Sequence, residues 1–237
     1  MAGLKGVIGS MLSEKLKGHI DYYLFPQWRD SWGGAFNGQR KRQELFDALI
    51  NQLKPTAIVE TGTYRGTTTL YFCSTGLPIY TVEGLARNYG FAKSQLSRSK
   101  NATLLNCDSR IGLKKLLSEN LKHSIHETLF FYLDAHWNEE LPLDEELTII
   151  LSTCSCPIIM IDDFKVPGDP GYSYDDYGGT SVLEAKYIGK HVEQYNLCKL
   201  YPSVSSCMET GAKRGSIVLC RKREAQSLCA TGLYRKH

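Results

Sequence analysis

The chain has 237 residues and a formal net charge of +3, with 42% hydrophobic and 22% charged residues. This length fits one α/β domain with a substantial core, and the composition is that of an ordinary globular protein. The small net charge does not argue for a nucleic-acid partner, and the apolar runs are too short to cross a membrane. Residues 1–16 lack the apolar segment of a signal peptide, so we expect a cytoplasmic protein.

Residues 1–55 are predicted to form an N-terminal helical cap. The stretch from Gln43 to Leu53 carries apolar residues at helical spacing, and Pro55 ends that helix. Residues 25–38 are rich in aromatic side chains and glycine. This segment could close over a functional site or could only cover an edge of the sheet, and the sequence does not decide between the two.

From Thr56 onward, short apolar strands alternate with amphipathic helices. Strands are predicted at Ala57–Glu60, Ile79–Glu83, Ala102–Asn106, Thr128–Asp134 and Pro157–Asp162. Helices are predicted at Gly66–Ser74, Asn88–Ser97, Ile111–Leu121 and Asp144–Leu151. This alternation indicates a mainly parallel sheet with helices on both faces.

Two further strands, within Asn196–Val204 and Gly215–Arg221, are expected to close the sheet as a hairpin. The resulting fold class is α/β, a Rossmann-like, doubly wound sheet of seven strands. It would occupy residues 56–222 as the ligand-binding domain, and residues 223–237 are predicted to be a basic, mobile tail.

The most informative motif follows the first predicted strand and runs from Glu60 to Gly66. Its spacing is Glu-x-Gly-x-x-x-Gly, which differs from the Gly-x-Gly-x-x-Gly of dinucleotide sites. The glycines allow a ligand to approach the backbone, and the following helix start attracts an anionic group. An acidic residue before the first glycine suits a ligand that carries both a cation and a carboxylate. S-adenosylmethionine (SAM) is such a ligand.

Each of the five predicted parallel strands ends at or just before an acidic residue. These are Glu60, Glu83, Asp108, Asp134 and the pair Asp162-Asp163. Because ligands bind at the carboxyl edge of such sheets, we expect these side chains to line a site. Glu83 is placed to accept hydrogen bonds from ribose hydroxyls, and Asp108 with Ser109 to meet an adenine amine. Asp108 could instead simply cap the next helix.

Asp134, Asp162 and Asp163 form a candidate metal site. Three carboxylates from neighbouring strand ends are the ligands that Mg²⁺, Mn²⁺ and Ca²⁺ prefer. His136, close to Asp134, is a further ligand or a base. Alternatively, Asp163 only caps its loop, and His136 is a structural histidine beside Trp137.

At these positions residues 39–172 resemble class I SAM-dependent methyltransferases. More narrowly, they are similar to metal-dependent O-methyltransferases of the catechol O-methyltransferase type. Glu60, Gly62, Tyr64 and Gly66 match the family motif that holds the methionine part of SAM, and Thr68 stands where a hydroxyl meets its carboxylate. The cofactor-binding residues that the motif and the resemblance imply are Glu60, Thr61, Gly62, Thr63, Tyr64, Gly66, Thr68, Glu83, Asp108, Ser109 and Asp134. The implied metal ligands are Asp134, Asp162 and Asp163.

The chain also departs from that family. Asp163 replaces an Asn of the metal site, Asn138 replaces the catalytic Lys, and Ala135 is inserted before His136. The Asp-Asp pair and Asn37-Gly38-Gln39 look more like the branch of macrocin O-methyltransferases and cephalosporin-hydroxylase-like proteins. That branch implies Mg²⁺ and a hydroxyl acceptor that is glycosylated or otherwise bulky.

The expected function is transfer of a methyl group from SAM to a hydroxyl of a small molecule or sugar. We expect His136 to be the general base and Lys165 a weaker candidate base. Asp134, Asp162 and Asp163 are expected to position the reactants. No nucleic-acid or membrane partner is expected, and a homodimer is one candidate oligomeric state. The alternatives are a cephalosporin-hydroxylase-like metal-dependent protein and a non-catalytic SAM-binding module.

Two other segments could contact the acceptor. Residues 172–179 carry tyrosines that could stack on it, or they form only a mobile acidic loop. The basic residues Arg29, Arg40, Lys41 and Arg42 could reach an anionic acceptor, but they are more typical of a solvated helix face.

Overall fold

Within the residues that the structure describes, the sheet has eight strands. The structure is a computed structural model that describes residues 12–136, 141–179 and 181–237. The strands are β1 (Ala57–Thr61), β2 (Ile79–Glu83), β3 (Ala102–Asn106), β4 (Thr128–Leu133), β5 (Cys156–Ile161), β6 (Cys198–Pro202), β7 (Ile217–Cys220) and β8 (Tyr234–Lys236). Their order is β3-β2-β1-β4-β5-β7-β6-β8. Strands β1 to β5 pair in parallel, whereas β7 is antiparallel to both β5 and β6, and β8 is antiparallel to β6.

Helices cover both faces of this sheet. They are α1 (Glu14–Leu24), α2 (Arg40–Leu53), α3 (Thr67–Cys73), α4 (Ala86–Gln95), α5 (Ser109–Lys115), α6 (Leu143–Thr153), α7 (Gly189–Gln194) and α8 (Lys222–Cys229). Short 3₁₀ segments lie at Pro26–Gly33, Ala35–Gly38 and Ser206–Met208, and a π-helical turn at Leu116–Asn120 follows α5. Successive strand residues point to opposite faces, so Phe131 packs in one apolar cluster with α5 and α6. Phe130 packs in a second cluster with α2, α3 and α8.

The predicted parallel core is confirmed, and each of its five strands agrees with the prediction to within one residue at either end. The predicted closing hairpin is also confirmed as β6 and β7. The expected count of seven strands is one too few, because β8 adds to the edge beyond β6.

Residues 223–237, predicted as a mobile tail, instead form α8 and β8. Ala225 and Leu228 of α8 are buried, and so is Tyr234 of β8. The Tyr234 hydroxyl donates a hydrogen bond to the carbonyl oxygen of Leu45 at 2.6 Å. A few apolar side chains at the correct spacing therefore fix a segment that is otherwise basic and polar.

The N-terminal segment packs closely on the main domain. At the contact of α1 with α4, a Cβ on Gly18 would lie 1.8 Å from the carbonyl oxygen of Arg87. Asp21 accepts two hydrogen bonds from the Arg87 guanidinium, at 2.6 and 3.1 Å. Phe36, within residues 25–38, is fully buried in the second apolar cluster. Covering the sheet is thus one role of this aromatic segment.

Among the described residues, no helix has the length and hydropathy needed to cross a membrane.

Candidate cofactor and metal site

The turn after β1 lies at the carboxyl edge of the sheet, between the ends of β2 and β4. Gly62 has a φ of +86°, and a Cβ there would lie 2.1 Å from the carbonyl oxygen of Asp134. Only glycine therefore fits at this position. The N–H of Tyr64 donates to Glu83 Oε2 at 2.6 Å, and the N–H of Leu85 donates to Glu83 Oε1 at 2.8 Å. These bonds fix the turn to the end of β2.

Glu60 lies buried beneath this turn. Its Oε2 accepts hydrogen bonds from the hydroxyls of Thr69 at 2.5 Å and Thr81 at 2.6 Å. Burial raises the pKa of Glu60 to about 7, and burial also raises the pKa of Glu83 to about 7. A cationic ligand at this edge would favour the ionised form of both carboxyls.

The remaining predicted residues of the turn lie at the same edge. The hydroxyls of Thr63 and Thr81 are 2.5 Å apart, and Gly66, with a φ of +83°, precedes α3. The Thr68 hydroxyl accepts a hydrogen bond from the N–H of Phe36 at 3.1 Å. Residues 25–38 therefore reach the predicted cofactor turn as well as covering the sheet.

Asp108 caps α5. Its carboxylate accepts from the N–H of Arg110 at 2.9 Å and from the Arg110 guanidinium at 2.6 Å. The bonds from Arg110 lower the pKa of Asp108. The capping interpretation of Asp108 thus describes its contacts in the structure, and its role toward adenine stays a prediction.

Glu146 of α6 is a buried acid that the sequence interpretation missed. Burial raises its pKa to about 7. Glu146 Oε1 and the Thr61 hydroxyl at the end of β1 are buried and have no hydrogen-bond partner among the described residues. The spacing held a signal, because Glu146 shares a helical face with Leu143, Leu147 and Ile150, all of which are buried.

Asp134, His136 and Asp163 bring three possible metal-ligand atoms within 4.8 Å of one another. His136 Nε2 lies 3.9 Å from Asp134 Oδ1 and 3.9 Å from Asp163 Oδ2. The imidazole is buried, and its Nε2 has no hydrogen-bond partner in the part of the chain that the structure describes. Trp137 and Asn138, also considered from the sequence, lie outside the described residues.

The electrostatics of this group favour a cation. Burial lowers the pKa of His136, which keeps the imidazole neutral and its lone pair available. Burial, together with the charges of Asp163 and Glu60, raises the pKa of Asp134 well above its usual range. The Asp134 side chain is 32% exposed, so solvent limits this rise. One imidazole and two carboxylates are a donor set that suits Mn²⁺ or Zn²⁺ better than Mg²⁺.

Asp162 is not part of this group, in contrast to the predicted set of three aspartates. It is fully buried and forms an ion pair with the buried guanidinium of Arg42. Tyr132 donates to its Oδ2 at 2.5 Å, and the N–H of Asp163 donates to its Oδ1 at 2.8 Å. These partners occupy both carboxylate oxygens of Asp162.

Arg42 is thus neither on a solvated face nor available to an acceptor. It shares a face of α2 with Leu45, Phe46 and Leu49, which are all buried, and this spacing is the signal that could have identified it. Arg40, two residues earlier, is exposed as expected.

Lys165 and Tyr172 are both held by other residues of the chain. The Lys165 ammonium pairs with Glu184 at 2.9 Å, and this hydrogen bond raises the pKa of Lys165. A lysine that keeps its proton more firmly is a poorer base.

Tyr172 is buried and donates to the carbonyl oxygen of Val204 at 3.1 Å. It therefore packs in the core rather than at an acceptor surface.

Comparison with known proteins identifies the fold. The structure is similar to the methyltransferase domain of bacterial CtHen1 (TM-score 0.52, 12% identity, covering 76% of this chain and 98% of that one). It is also similar to SAM-bound CalS10, an amino pentose methyltransferase from Micromonospora echinaspora (0.50, 11%, 78% and 93%). A third similar structure is cofactor-bound Rv0187 from MTB (0.50, 13%, 92% and 95%). No family model and no curated protein matches the sequence. The chain therefore has the class I SAM-dependent methyltransferase fold, established from structure alone.

Proposed function

We propose that the protein transfers a methyl group from SAM to a hydroxyl of a small-molecule or glycosylated acceptor. The observation that carries this proposal is the contact of Gly62 with the backbone of Asp134. Because of this contact, the turn after β1 lies beside the Asp134–His136–Asp163 group. A cofactor and an acceptor bound at these two places would be neighbours at one edge of the sheet.

The cofactor half of the proposal assigns roles to Glu60, Glu83 and the Gly62 turn. Each Glu83 oxygen accepts one backbone N–H, which leaves a lone pair on each for a ribose hydroxyl. Glu60 beneath the turn provides negative charge near a ligand that carries an ammonium and a sulfonium. The left-handed backbone at Gly62 and Gly66 lets the ligand approach closely.

The acceptor half assigns a divalent cation to Asp134, His136 and Asp163. A bound cation would make the acceptor hydroxyl more acidic. In that state Nε2 of His136 is a ligand, so it cannot also be the general base that the sequence predicts. Without a cation, the neutral imidazole would be free to accept the hydroxyl proton at Nε2. We favour the first arrangement because three donor atoms converge there.

CalS10, an amino pentose methyltransferase, is one of the similar structures. A sugar acceptor is therefore a reasonable first class to screen. The sequence resemblance to macrocin O-methyltransferases supports the same choice.

Calorimetric titration of SAM and S-adenosylhomocysteine (SAH), in EDTA and then in Mn²⁺ or Mg²⁺, tests the proposal. We expect micromolar binding of both ligands by the wild-type protein. Glu83→Ala should weaken it by roughly tenfold to a hundredfold, because hydrogen bonds to a charged group are lost. The exposed Glu119→Ala variant is the matched control and should bind normally. If the wild-type protein binds neither ligand, the proposal is wrong.

A further inference from the structure

Arg214 holds the side of Asp163 that faces away from His136. Its Nε donates to Asp163 Oδ1 at 2.5 Å, and its Nη2 donates to Asp175. The other oxygen of Asp163, Oδ2, is the one that lies near His136 Nε2. One guanidinium thus fixes which carboxylate oxygen is turned toward the histidine.

The backbone of Arg214 is itself held from the N-terminal part of the chain. Its N–H donates to Oε1 of Gln39 at 2.8 Å, and its carbonyl oxygen accepts from Nε2 of Gln39 at 2.9 Å. The same carbonyl oxygen accepts a hydrogen bond from Arg42, whose other nitrogen pairs with Asp162. Gln39 and Arg42 are both buried. Arg214 therefore cannot shift without breaking several buried hydrogen bonds.

Asp163 needs such support. Its φ is +52°, a left-handed conformation that is unfavourable for a residue with a Cβ. The N–H of Asp175 donates to the Asp163 carbonyl oxygen at 2.9 Å, so the loop that receives Arg214 also holds the Asp163 backbone. The side chain of Asp163 is thus fixed by Arg214, and its backbone by the loop of Asp175, to which Arg214 also binds.

We propose that Arg214 is a positioning residue that directs Asp163 toward His136 and Asp134 and thereby sets the affinity of this group for a divalent cation. The inference rests on the metal site of the proposed function. Two effects of Arg214 oppose each other. Its positive charge repels a cation, whereas its hydrogen bonds orient a ligand of that cation. Removing partners that orient metal ligands typically weakens metal binding about 10- to 100-fold, so we expect orientation to dominate.

The test is a Mn²⁺ titration followed by electron paramagnetic resonance, which counts the unbound ion and needs no acceptor. Arg214→Gln removes the positive charge and the two guanidinium N–H donors to Asp163 and Asp175. Arg214→Lys keeps the positive charge but not this pair of donors. We expect Mn²⁺ affinity to fall about 10- to 100-fold in Arg214→Gln and by less in Arg214→Lys. Arg235→Gln is the matched control, because among the described residues the Arg235 guanidinium donates only to the backbone carbonyls of Pro202 and Pro167. It should bind Mn²⁺ like the wild-type protein.

The outcomes separate the inference from the proposed function. If the wild-type protein binds no Mn²⁺ at this group, the proposed metal site fails, and the inference with it. If the wild-type protein binds Mn²⁺ and Arg214→Gln binds it equally or more tightly, only the inference is overturned. Should Arg214→Gln not fold, Arg214→Lys decides: unchanged affinity would mean that this pair of donors does not orient Asp163.

Discussion

The carboxylates at the two halves of the site are held by different kinds of partner. At the ends of β1 and β2, Glu60 and Glu83 accept hydrogen bonds from uncharged hydroxyls and backbone N–H groups. After β5, Asp162 and Asp163 are paired with the guanidinium groups of Arg42 and Arg214. The partners of the first pair are nearby in sequence, whereas each arginine lies far along the chain from its aspartate. Burial raises the pKa of Glu60 and of Glu83 to about 7, so the first pair responds to pH near neutrality. The second pair depends on distant parts of the chain staying in place.

Among the variants considered, Arg42→Met should reduce stability most, because it removes the ion pair with Asp162. It would leave the buried carboxylate of Asp162 without its counter-charge, which costs about 3–5 kcal/mol of the free energy of unfolding. Urea denaturation followed by circular dichroism measures this loss. Arg40→Met, at an exposed position on the same helix, should change stability by less than about 0.5 kcal/mol. A stability loss in Arg42→Met no larger than in Arg40→Met would contradict the importance of the buried pair.

On the cofactor side, Gly62→Ala tests the close contact between β1 and β4. The new Cβ would collide with the carbonyl oxygen of Asp134, and left-handed backbone adds its own penalty, so we expect a loss of about 3 kcal/mol in unfolding free energy. SAH binding should be lost as well. Gly76→Ala is a matched control with a φ of +77° and open space around its Cβ. If both variants lose the same stability and both bind SAH, the contact has no special role.

The raised pKa of Glu60 determines the direction in which stability changes with pH. Its pKa in the folded protein is about 7 against an ordinary value of 4.5, so the folded state binds this proton more tightly than the unfolded chain. Its contribution to stability is therefore full below pH 4.5 and is lost as the pH rises to about 7. Between these pH values, the wild-type protein should lose roughly 2–3 kcal/mol relative to Glu60→Gln. Urea titrations of both proteins across this range measure the difference. The exposed Glu119→Gln variant should follow the wild type, and parallel curves for wild type and Glu60→Gln would contradict the account.

The smallest effect on ligand affinity is expected for Lys165, which lies outside both the turn after β1 and the Asp134–His136–Asp163 group. Its ammonium pairs with Glu184, and the Lys165 side chain is 44% exposed. Lys165→Met should therefore leave the SAH and Mn²⁺ affinities unchanged. A clear loss of either affinity would mean that Lys165 belongs to the site.

The geometry of the turn after β1 could be predicted from the sequence because its signals are local, and its role toward SAM stays a proposal. Glu60, Gly62 and Gly66 form one motif, and Glu83 ends the next strand. The parallel strands could also be predicted from the sequence, since each is a short apolar run between turns. Local pattern and tertiary position agree in this region of the chain.

The Asp134–His136–Asp163 group could be predicted only in part, because its geometry depends on long-range pairs. The three aspartates were found as strand ends, but which of them faces His136 is decided by Arg42, which occupies Asp162. The position of Arg42 on an apolar helix face was a readable signal, as it was for Glu146. Arg214, in the loop before β7, carries no such signal. Its partners Gln39 and Asp163 are brought to it only by the complete fold.

A crystal structure of the protein with SAH and Mn²⁺, with anomalous scattering recorded at the manganese edge, would locate both ligands in one experiment. We expect SAH over the Gly62 turn with its ribose at Glu83. We also expect one manganese peak between Asp134, His136 and Asp163, with Asp162 still paired with Arg42. SAH bound elsewhere, or manganese held by Asp162 after release of Arg42, would contradict these expectations.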